Sequence, residues 1–156
     1  MFIEFGVPDT ADGRWEAICL HTALVVERLR RAGPAGTALA DTLYQVMFRD
    51  IDANLRELGV GDLAVPKRVR RMARAFNGRL AAYAGALERG NAAALGAVLD
   101  RNLLRDAAVG PATLAAVAGY VVAQRRALSA QPDQGLLNGE VAFAPDGATG
   151  SAEAAA

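Results

Sequence analysis

The sequence predicts an all-α, single-domain bundle of about five helices, and three features of the 156-residue chain support this prediction. Alanine supplies much of the 53% apolar content, whereas aromatic residues make up only 6%. Alanine favours helices, and sheets depend on the β-branched and aromatic side chains that are scarce here. Apolar residues recur at three- and four-residue spacing over five stretches. Glycine, proline and asparagine separate these stretches, as expected at helix ends.

The first two predicted helices are broadly apolar. The first covers about 13–32, and either Thr10 or Asp12 can cap its N-terminus. A Gly-Pro pair ends it, and the second helix follows over about 35–58. A wide apolar stripe indicates a central position in the bundle. These faces are broader than a five-helix core needs, so part of them is a candidate docking surface for a hydrophobic partner, with ordinary burial as the alternative.

The turn between the second and third helices carries the sharpest turn signal in the chain. Gly59 and Gly61 can adopt the positive φ through which a chain leaves a helix at low cost. Asp62 can accept backbone N–H bonds at the entrance of the next helix. Pro66 suits a first helical turn, where its missing N–H would have no partner. The sequence therefore predicts a third helix over 66–89.

The first two turns of this third helix are strongly basic, although the chain has a formal net charge of zero. Cations at a helix N-terminus are unfavourable by ~0.3–1 kcal/mol each, because the helix dipole makes that end positive. Two interpretations remain open. The residues form a solvated polar face, or they are held for an anionic partner such as an acidic protein, a lipid headgroup layer or RNA. The residues assigned to this predicted surface are Lys67, Arg68, Arg70, Arg71 and Arg74, with Arg79 further along the helix.

Two shorter helices are predicted after the third. Asn91 can cap a fourth helix over about 92–105, and a Gly-Pro pair precedes a fifth over about 112–130. Within the third helix, Gly78 and Gly85 each cost roughly 0.5–1 kcal/mol relative to alanine. Either glycine can therefore indicate close approach of another helix.

The helical pattern ends near residue 130. We divide the chain into a helical domain, 1–130, and an extended or partly disordered tail, 131–156. Within the tail, residues 140–143 can lie extended across the helical body. The last ten residues have the composition of a disordered segment.

No group of residues has the geometry of an active site or a metal centre. His21 is the only histidine, Cys19 is the only cysteine, and their spacing places them on different sides of a helix. We interpret His21 as a packed or rim histidine and expect no enzyme activity, cofactor or metal. No apolar run reaches the roughly 20 residues that a spanning helix needs. The N-terminus lacks a signal-peptide pattern, so we expect an intracellular protein.

Several short motifs occur in a recognisable order along the chain. They are Gly-Val-Pro-Asp-Thr from residue 6, Asp-Gly-Arg from residue 12, Leu-His at 20–21, the long stretch 57–69, and Ala-Phe-Asn-Gly-Arg at 75–79. Together they resemble the ubiquinol–cytochrome c chaperone family, which includes the mitochondrial factor that receives cytochrome b for the bc1 complex. The resemblance covers about 5–105. The residues that carry it outside the basic helix start are Gly6, Pro8, Asp9, Asp12, Arg14, His21, Phe76 and Gly78.

The resemblance implies a non-enzymatic assembly chaperone for ubiquinol–cytochrome c reductase, the bc1 complex or respiratory complex III. Its implied partners are newly made cytochrome b or an assembly intermediate, an anionic membrane surface, and a further assembly factor. The implied location is the cytoplasmic face of the inner membrane, or the matrix side in a eukaryote. The abundant alanine, arginine and glycine are typical of a GC-rich bacterial source. The alternative function is a helical nucleic-acid- or ribosome-binding module that uses the basic helix 66–89.

Overall fold

The computed structural model describes residues 5–105 and 107–145, and over these ranges the chain forms six helices and no strands. The helices are α1 (Ala11–Arg31), α2 (Gly33–Glu57), α3 (Val65–Glu88), α4 (Ala92–Asn102), α5 (Pro111–Ala130) and α6 (Asp133–Leu137). The all-α prediction is confirmed. The five predicted helices correspond to α1–α5, with α4 ending at Asn102 rather than near residue 105. The short helix α6 was not predicted.

Helix α1 is the centre of the bundle, as its wide apolar stripe predicts. It packs against α2, α3, α5 and α6. Its N-terminus is capped by Thr10, whose side-chain oxygen accepts a hydrogen bond of 3.1 Å from the backbone N–H of Gly13. The apolar residues that it buries are Ala17, Cys19, Leu20, Ala23, Leu24, Val25, Val26 and Leu29.

The turn between α2 and α3 differs in part from its prediction. Gly59 has the expected positive φ of 77°, and Pro66 lies in the first turn of α3. Gly61 is not among the glycines with positive φ. The predicted cap at Asp62 is wrong, because its carboxylate accepts a 2.5 Å hydrogen bond from Arg56 and α3 has no side-chain cap. The positive Arg56 side chain competes with the helix start for this exposed carboxylate.

The prediction of an extended tail from residue 131 onward is wrong for α6. Arg28 of α1 is buried and donates hydrogen bonds to the backbone oxygens of Leu128, at 3.0 Å, and Gln131, at 2.7 Å. It also donates to the carboxylate of Asp133 at 2.6 Å. These bonds hold the end of α5 and the start of α6 against α1, and Leu136 then enters the core. The domain division at residue 130 itself stays a prediction.

The segment 140–145 forms neither helix nor strand and lies against α5, and the extended course predicted for residues 140–143 stays a prediction. The side-chain amide of Gln131 donates to the backbone oxygen of Ala142 at 2.6 Å and accepts from its N–H at 3.0 Å. Gln124 forms the same pair of bonds with Ala144, at 3.4 and 2.7 Å. Two glutamine side chains therefore anchor the segment. The last ten residues, predicted to be disordered, lie outside the described part of the chain.

No other helix packs closely against the glycines inside α3, contrary to one of our expectations. A methyl group at Gly78 would meet no atom within 4 Å, and one at Gly85 would meet only the side chain of Arg89. We therefore expect Gly78→Ala to raise the free energy of unfolding by about 0.5–1 kcal/mol, measured by urea denaturation. The matched control is Gly36→Ala, where the new methyl group would collide with the backbone oxygen of Leu29 and destabilise the fold. A destabilised Gly78→Ala protein would contradict this reading of α3.

Candidate interaction surface

The basic residues at the start of α3 form an exposed surface. We call Lys67, Arg68, Arg70, Arg71 and Arg74 the basic surface, and all five are exposed. None of the five forms an ion pair with an acidic side chain of residues 5–105 or 107–145. The first acidic residue of α3 is Glu88, at its far end. The cations are therefore not neutralised by the part of the protein that the structure describes.

Arg79 does not belong to this surface, which corrects its assignment from the sequence. Its side chain is only 10% exposed and forms a two-pronged ion pair with Glu16 of α1, whose side chain is 7% exposed. Arg79 follows Arg74 by five residues, which turns it well away from Arg74 and toward α1. Burial alone would lower the pKa of Arg79, but hydrogen bonding to Glu16 and the charge of that carboxylate raise it above its ordinary value. Arg79 therefore stays charged.

A buried thiol lies beside this ion pair. Burial and then the negative charge of Glu16 raise the pKa of Cys19 to about 12, while the positive charge of Arg79 acts in the opposite direction. The cysteine is fully buried and forms no disulfide. It is therefore protonated at neutral pH and contributes packing, because the thiolate is the reactive form.

An apolar groove opens between the N-terminal half of α1 and the C-terminal half of α2. Its volume is about 710 Å³. Ile18 is 52% exposed in it, and Leu58 at one end is 80% exposed. We call this cavity the α1–α2 groove, and its apolar lining residues are Trp15, Ile18, Met47, Ile51 and Leu58. Ordinary burial therefore does not account for the whole apolar surface of the first two helices.

The rim of the α1–α2 groove contains two of the motif residues. Arg14 donates a 2.7 Å hydrogen bond to Asp9, and both side chains are well exposed. The hydrogen bond and the charge of Arg14 lower the pKa of Asp9. Asp50 and Asn54 complete the polar part of the lining. The groove thus combines an apolar floor with polar groups of both signs at its edge.

An aromatic cluster supports the groove from inside. Phe76 of α3 is fully buried, with its ring centroid 5.8 Å from that of Tyr44 and 6.0 Å from that of Phe48. Phe48 in turn meets Trp15 at 6.4 Å, edge to face. The motif residue Phe76 therefore acts through packing, because it holds the aromatic residues beneath the groove.

His21 is packed against α5 and the segment 140–145. Its Nδ1 lies 2.8 Å from the backbone oxygen of Ala17, and its Nε2 lies 2.8 Å from the hydroxyl of Tyr120. Because a carbonyl oxygen only accepts, Nδ1 donates to Ala17, and Nε2 shares a hydrogen bond with the hydroxyl of Tyr120. The ring of Phe143 covers the imidazole edge to face at 5.2 Å. Both nitrogens are thus engaged within the fold.

The remaining motif residues at the N-terminus build the entrance to α1. Gly6 has a positive φ of 68°. The backbone oxygen of Pro8 accepts a 2.9 Å hydrogen bond from Thr10, and a side chain at Gly13 would collide with that oxygen. Asp12 lies in the first turn of α1, where an acidic group suits the helix dipole. These residues shape the backbone and do not converge on a common site.

Sequence reasoning missed the most exposed apolar residue of the described chain. Leu63, in the turn before α3, is 98% exposed. Its position in the sequence could have indicated this exposure, because a leucine in a glycine-rich turn belongs to the apolar stripe of neither flanking helix. Leu58 at the other end of the same turn is also exposed. The turn therefore presents two apolar side chains immediately before the basic surface.

The described residues contain neither a membrane-spanning helix nor a metal-binding cluster. No helix there combines the length and hydropathy needed to cross a bilayer. No group of three or more His, Cys, Asp or Glu side chains in the described ranges is arranged to hold a metal ion.

The fold and this surface define a small all-α protein with an exposed basic surface and a separate apolar groove. The chain belongs to the ubiquinol-cytochrome C chaperone family, whose sequence model matches residues 4–143. The resemblance inferred from the motifs is thereby confirmed. The chain is 25% identical over 145 residues to ubiquinol-cytochrome-c reductase complex assembly factor 1 of Xenopus laevis, a match that covers 92% of this chain and 72% of that protein.

A solved structure supports the same assignment. The crystal structure of the Cbp3 homolog from Brucella abortus superposes with a TM-score of 0.81 at 39% sequence identity. The match covers 92% of this chain and 79% of the Brucella chain.

Proposed function

We propose that this protein is an assembly chaperone for ubiquinol–cytochrome c reductase, and that it binds newly made cytochrome b or an assembly intermediate at the membrane surface. The single observation that carries the proposal is family membership across residues 4–143. The Xenopus relative, named as an assembly factor for that complex, supports it. On this proposal the protein acts by binding, without catalysing a reaction.

The α1–α2 groove is the proposed client site. A membrane subunit that awaits its partners exposes apolar helix surface, which needs temporary cover in an aqueous compartment. The groove offers a mainly apolar floor with a few polar groups at its edge, and an amphipathic helix fits a groove of this kind. The exposed Ile18 lies where such a helix would dock.

The basic surface is the proposed contact with the membrane or with a further assembly factor. Its five cations have no acidic partner within the described chain, so they are available to an external anion. The location that follows is peripheral, at the cytoplasmic face of the inner membrane in a bacterium or at the matrix face in a mitochondrion.

We expect Ile18→Glu to reduce the amount of assembled bc1 complex at least tenfold in cells that carry it as the only copy. A charge at the centre of an apolar interface cannot be desolvated without a partner, whereas an exposed site tolerates it in the free protein. Native gel electrophoresis of solubilised membranes, with haem b absorbance, measures the complex. Deleting the gene gives the reference for complete loss.

The matched control is Val46→Glu, which introduces the same charge at an exposed residue of α2 outside the lining of the groove. Complex assembly in that strain should match wild type. Normal bc1 levels in both the Ile18→Glu strain and the deletion strain would reject the proposed function. Normal levels in the Ile18→Glu strain alone would reject the groove as the client site.

A further inference from the structure

The turn between α2 and α3 exposes leucine side chains that the described fold leaves uncovered. Leu63 is 98% exposed and Leu58 is 80% exposed. A single exposed leucine needs no explanation, but two within one short turn, next to a cluster of cations, form a distinctive combination. We call residues 58–64 the leucine turn.

Leu63 of the leucine turn and three residues of the basic surface, Lys67, Arg70 and Arg74, lie on one side of α3. Helical hydrogen bonding reaches back to Gly61, whose backbone oxygen accepts from Val65 at 3.2 Å, and Arg68 donates to Ala64 at 3.0 Å. Leu63 therefore lies about one helical turn before Lys67. Further residues at the same three- and four-residue spacing lie along this side. They are Arg70, Arg74, Gly78 and Ala81.

The composition of this side changes along the helix. It begins with an apolar tip, continues with exposed cations, and ends with small residues that project little from the helix surface. The negative group in the turn, Asp62, is held by Arg56 at 2.5 Å and is thereby neutralised locally. A long, flat, positively charged side with an apolar end can therefore approach a broad negative surface closely.

We propose that the leucine turn and the basic surface dock this protein on an anionic lipid bilayer. Leu63 enters the headgroup layer, and the cations on the same side of α3 lie against the lipid phosphates. Interfacial membrane binding requires this combination of apolar insertion and electrostatic attraction. The proposal deepens the proposed function and rests on it for the identity of the membrane, but the lipid binding itself requires no client.

The alternative partners of the same cations explain fewer of the observations. A strand of RNA would use the positive charges but would leave the exposure of Leu63 unexplained. The basic surface and the leucine turn contain no aromatic residue on which a base could stack. Two leucines in one turn are also too small a patch for the apolar centre of a stable protein interface.

The experiment is co-sedimentation of the full chain with vesicles of phosphatidylcholine containing 30% phosphatidylglycerol, compared with pure phosphatidylcholine vesicles. We expect binding to the anionic vesicles only, weakened by salt. Each basic residue at an anionic surface contributes about fivefold to partitioning. The Lys67→Ala, Arg70→Ala, Arg74→Ala triple variant should therefore bind about 100-fold more weakly. Leu63→Ser should weaken binding about tenfold, because an inserted apolar side chain is lost.

Two matched controls distinguish binding through this site from a nonspecific attraction of exposed basic residues to the anionic vesicles. The Arg89→Ala, Arg101→Ala, Arg126→Ala triple variant removes the same number of exposed basic residues elsewhere. Val46→Ser removes an exposed apolar residue from α2. Both should bind the anionic vesicles within about twofold of wild type. Circular dichroism of every variant checks the fold.

Three results would overturn the proposal: equal binding to neutral vesicles, equal losses in the two triple variants, or no effect of Leu63→Ser. Binding to single-stranded RNA without vesicle binding would assign the cations to nucleic acid and would also overturn it. Vesicle binding by a protein whose gene deletion leaves bc1 assembly normal would keep the docking and reject the proposed function. The reverse result would reject only the docking.

Discussion

Replacing Glu16 with alanine is expected to lower the free energy of unfolding by about 3–5 kcal/mol. The change leaves Arg79 charged at a position where its side chain is only 10% exposed. Burial disfavours an unpaired guanidinium, and Glu16 supplies the hydrogen bonds that offset this penalty. Arg105 also contacts Glu16, at 3.2 Å, but is half exposed and can return to water. Urea denaturation followed by circular dichroism measures the loss.

Two variants show whether the burial of the charge causes this loss. Arg14→Ala removes an exposed ion pair from the same helix and should cost under about 1 kcal/mol. The Glu16→Leu, Arg79→Met double variant removes both charges and should recover most of the stability lost in Glu16→Ala, because well-packed apolar residues can replace a buried ion pair. A double variant no more stable than Glu16→Ala would contradict this explanation.

Phe76→Ala is expected to lower the free energy of unfolding by about 3–5 kcal/mol, through lost transfer energy and the cavity it leaves. Phe76 is completely buried, and its ring lies against those of Tyr44 and Phe48. Chain segments cannot easily collapse into the space, because α1, α2 and α3 all contribute to this cluster. Thermal and urea unfolding measure the effect. The fluorescence of Trp15, the only tryptophan, reports whether the cluster loosens.

Two comparisons define the meaning of that result. Phe76→Leu keeps most of the volume and should cost about 1 kcal/mol, since apolar changes that largely conserve volume are tolerated. Val46→Ala on the exposed part of α2 should cost less than about 0.5 kcal/mol. A loss below about 1 kcal/mol for Phe76→Ala would show that the cluster rearranges to fill the space. The interpretation of Phe76 as the support of the α1–α2 groove would then be wrong.

The helices could be predicted because their signals are local. Apolar spacing located α1–α5, and Thr10 and Asn91 each cap a helix through a hydrogen bond to a nearby backbone N–H. Pro66 lies in the first turn of α3, so this local signal also located the start of that helix. In contrast, α6 has only five residues, too few to show a period, and is held by Arg28 of α1 from more than 100 residues away.

The interaction surface was predictable only in part. The charge of the basic surface is a property of consecutive residues, so its location on α3 followed from the sequence. Arg79 does not belong to that surface because it pairs with Glu16. Glu16 lies 63 residues earlier and becomes a neighbour only when α1 packs on α3. The α1–α2 groove likewise requires the relative position of two helices. Periodicity indicated excess apolar surface but not where it would remain open.

The anchoring of residues 140–145 has a consequence for how this part of the chain can change. Gln124 and Gln131 bind the backbone N–H and C=O groups of Ala142 and Ala144 and not their side chains. These contacts therefore do not depend on which amino acids occupy the two positions. Substitutions of Ala142 and Ala144 should therefore be tolerated, whereas Phe143 between them also packs on His21. Adding or removing a single residue would shift one peptide group out of reach of its glutamine. Natural variation should therefore be free at the two anchored positions, while the length of the stretch stays constant.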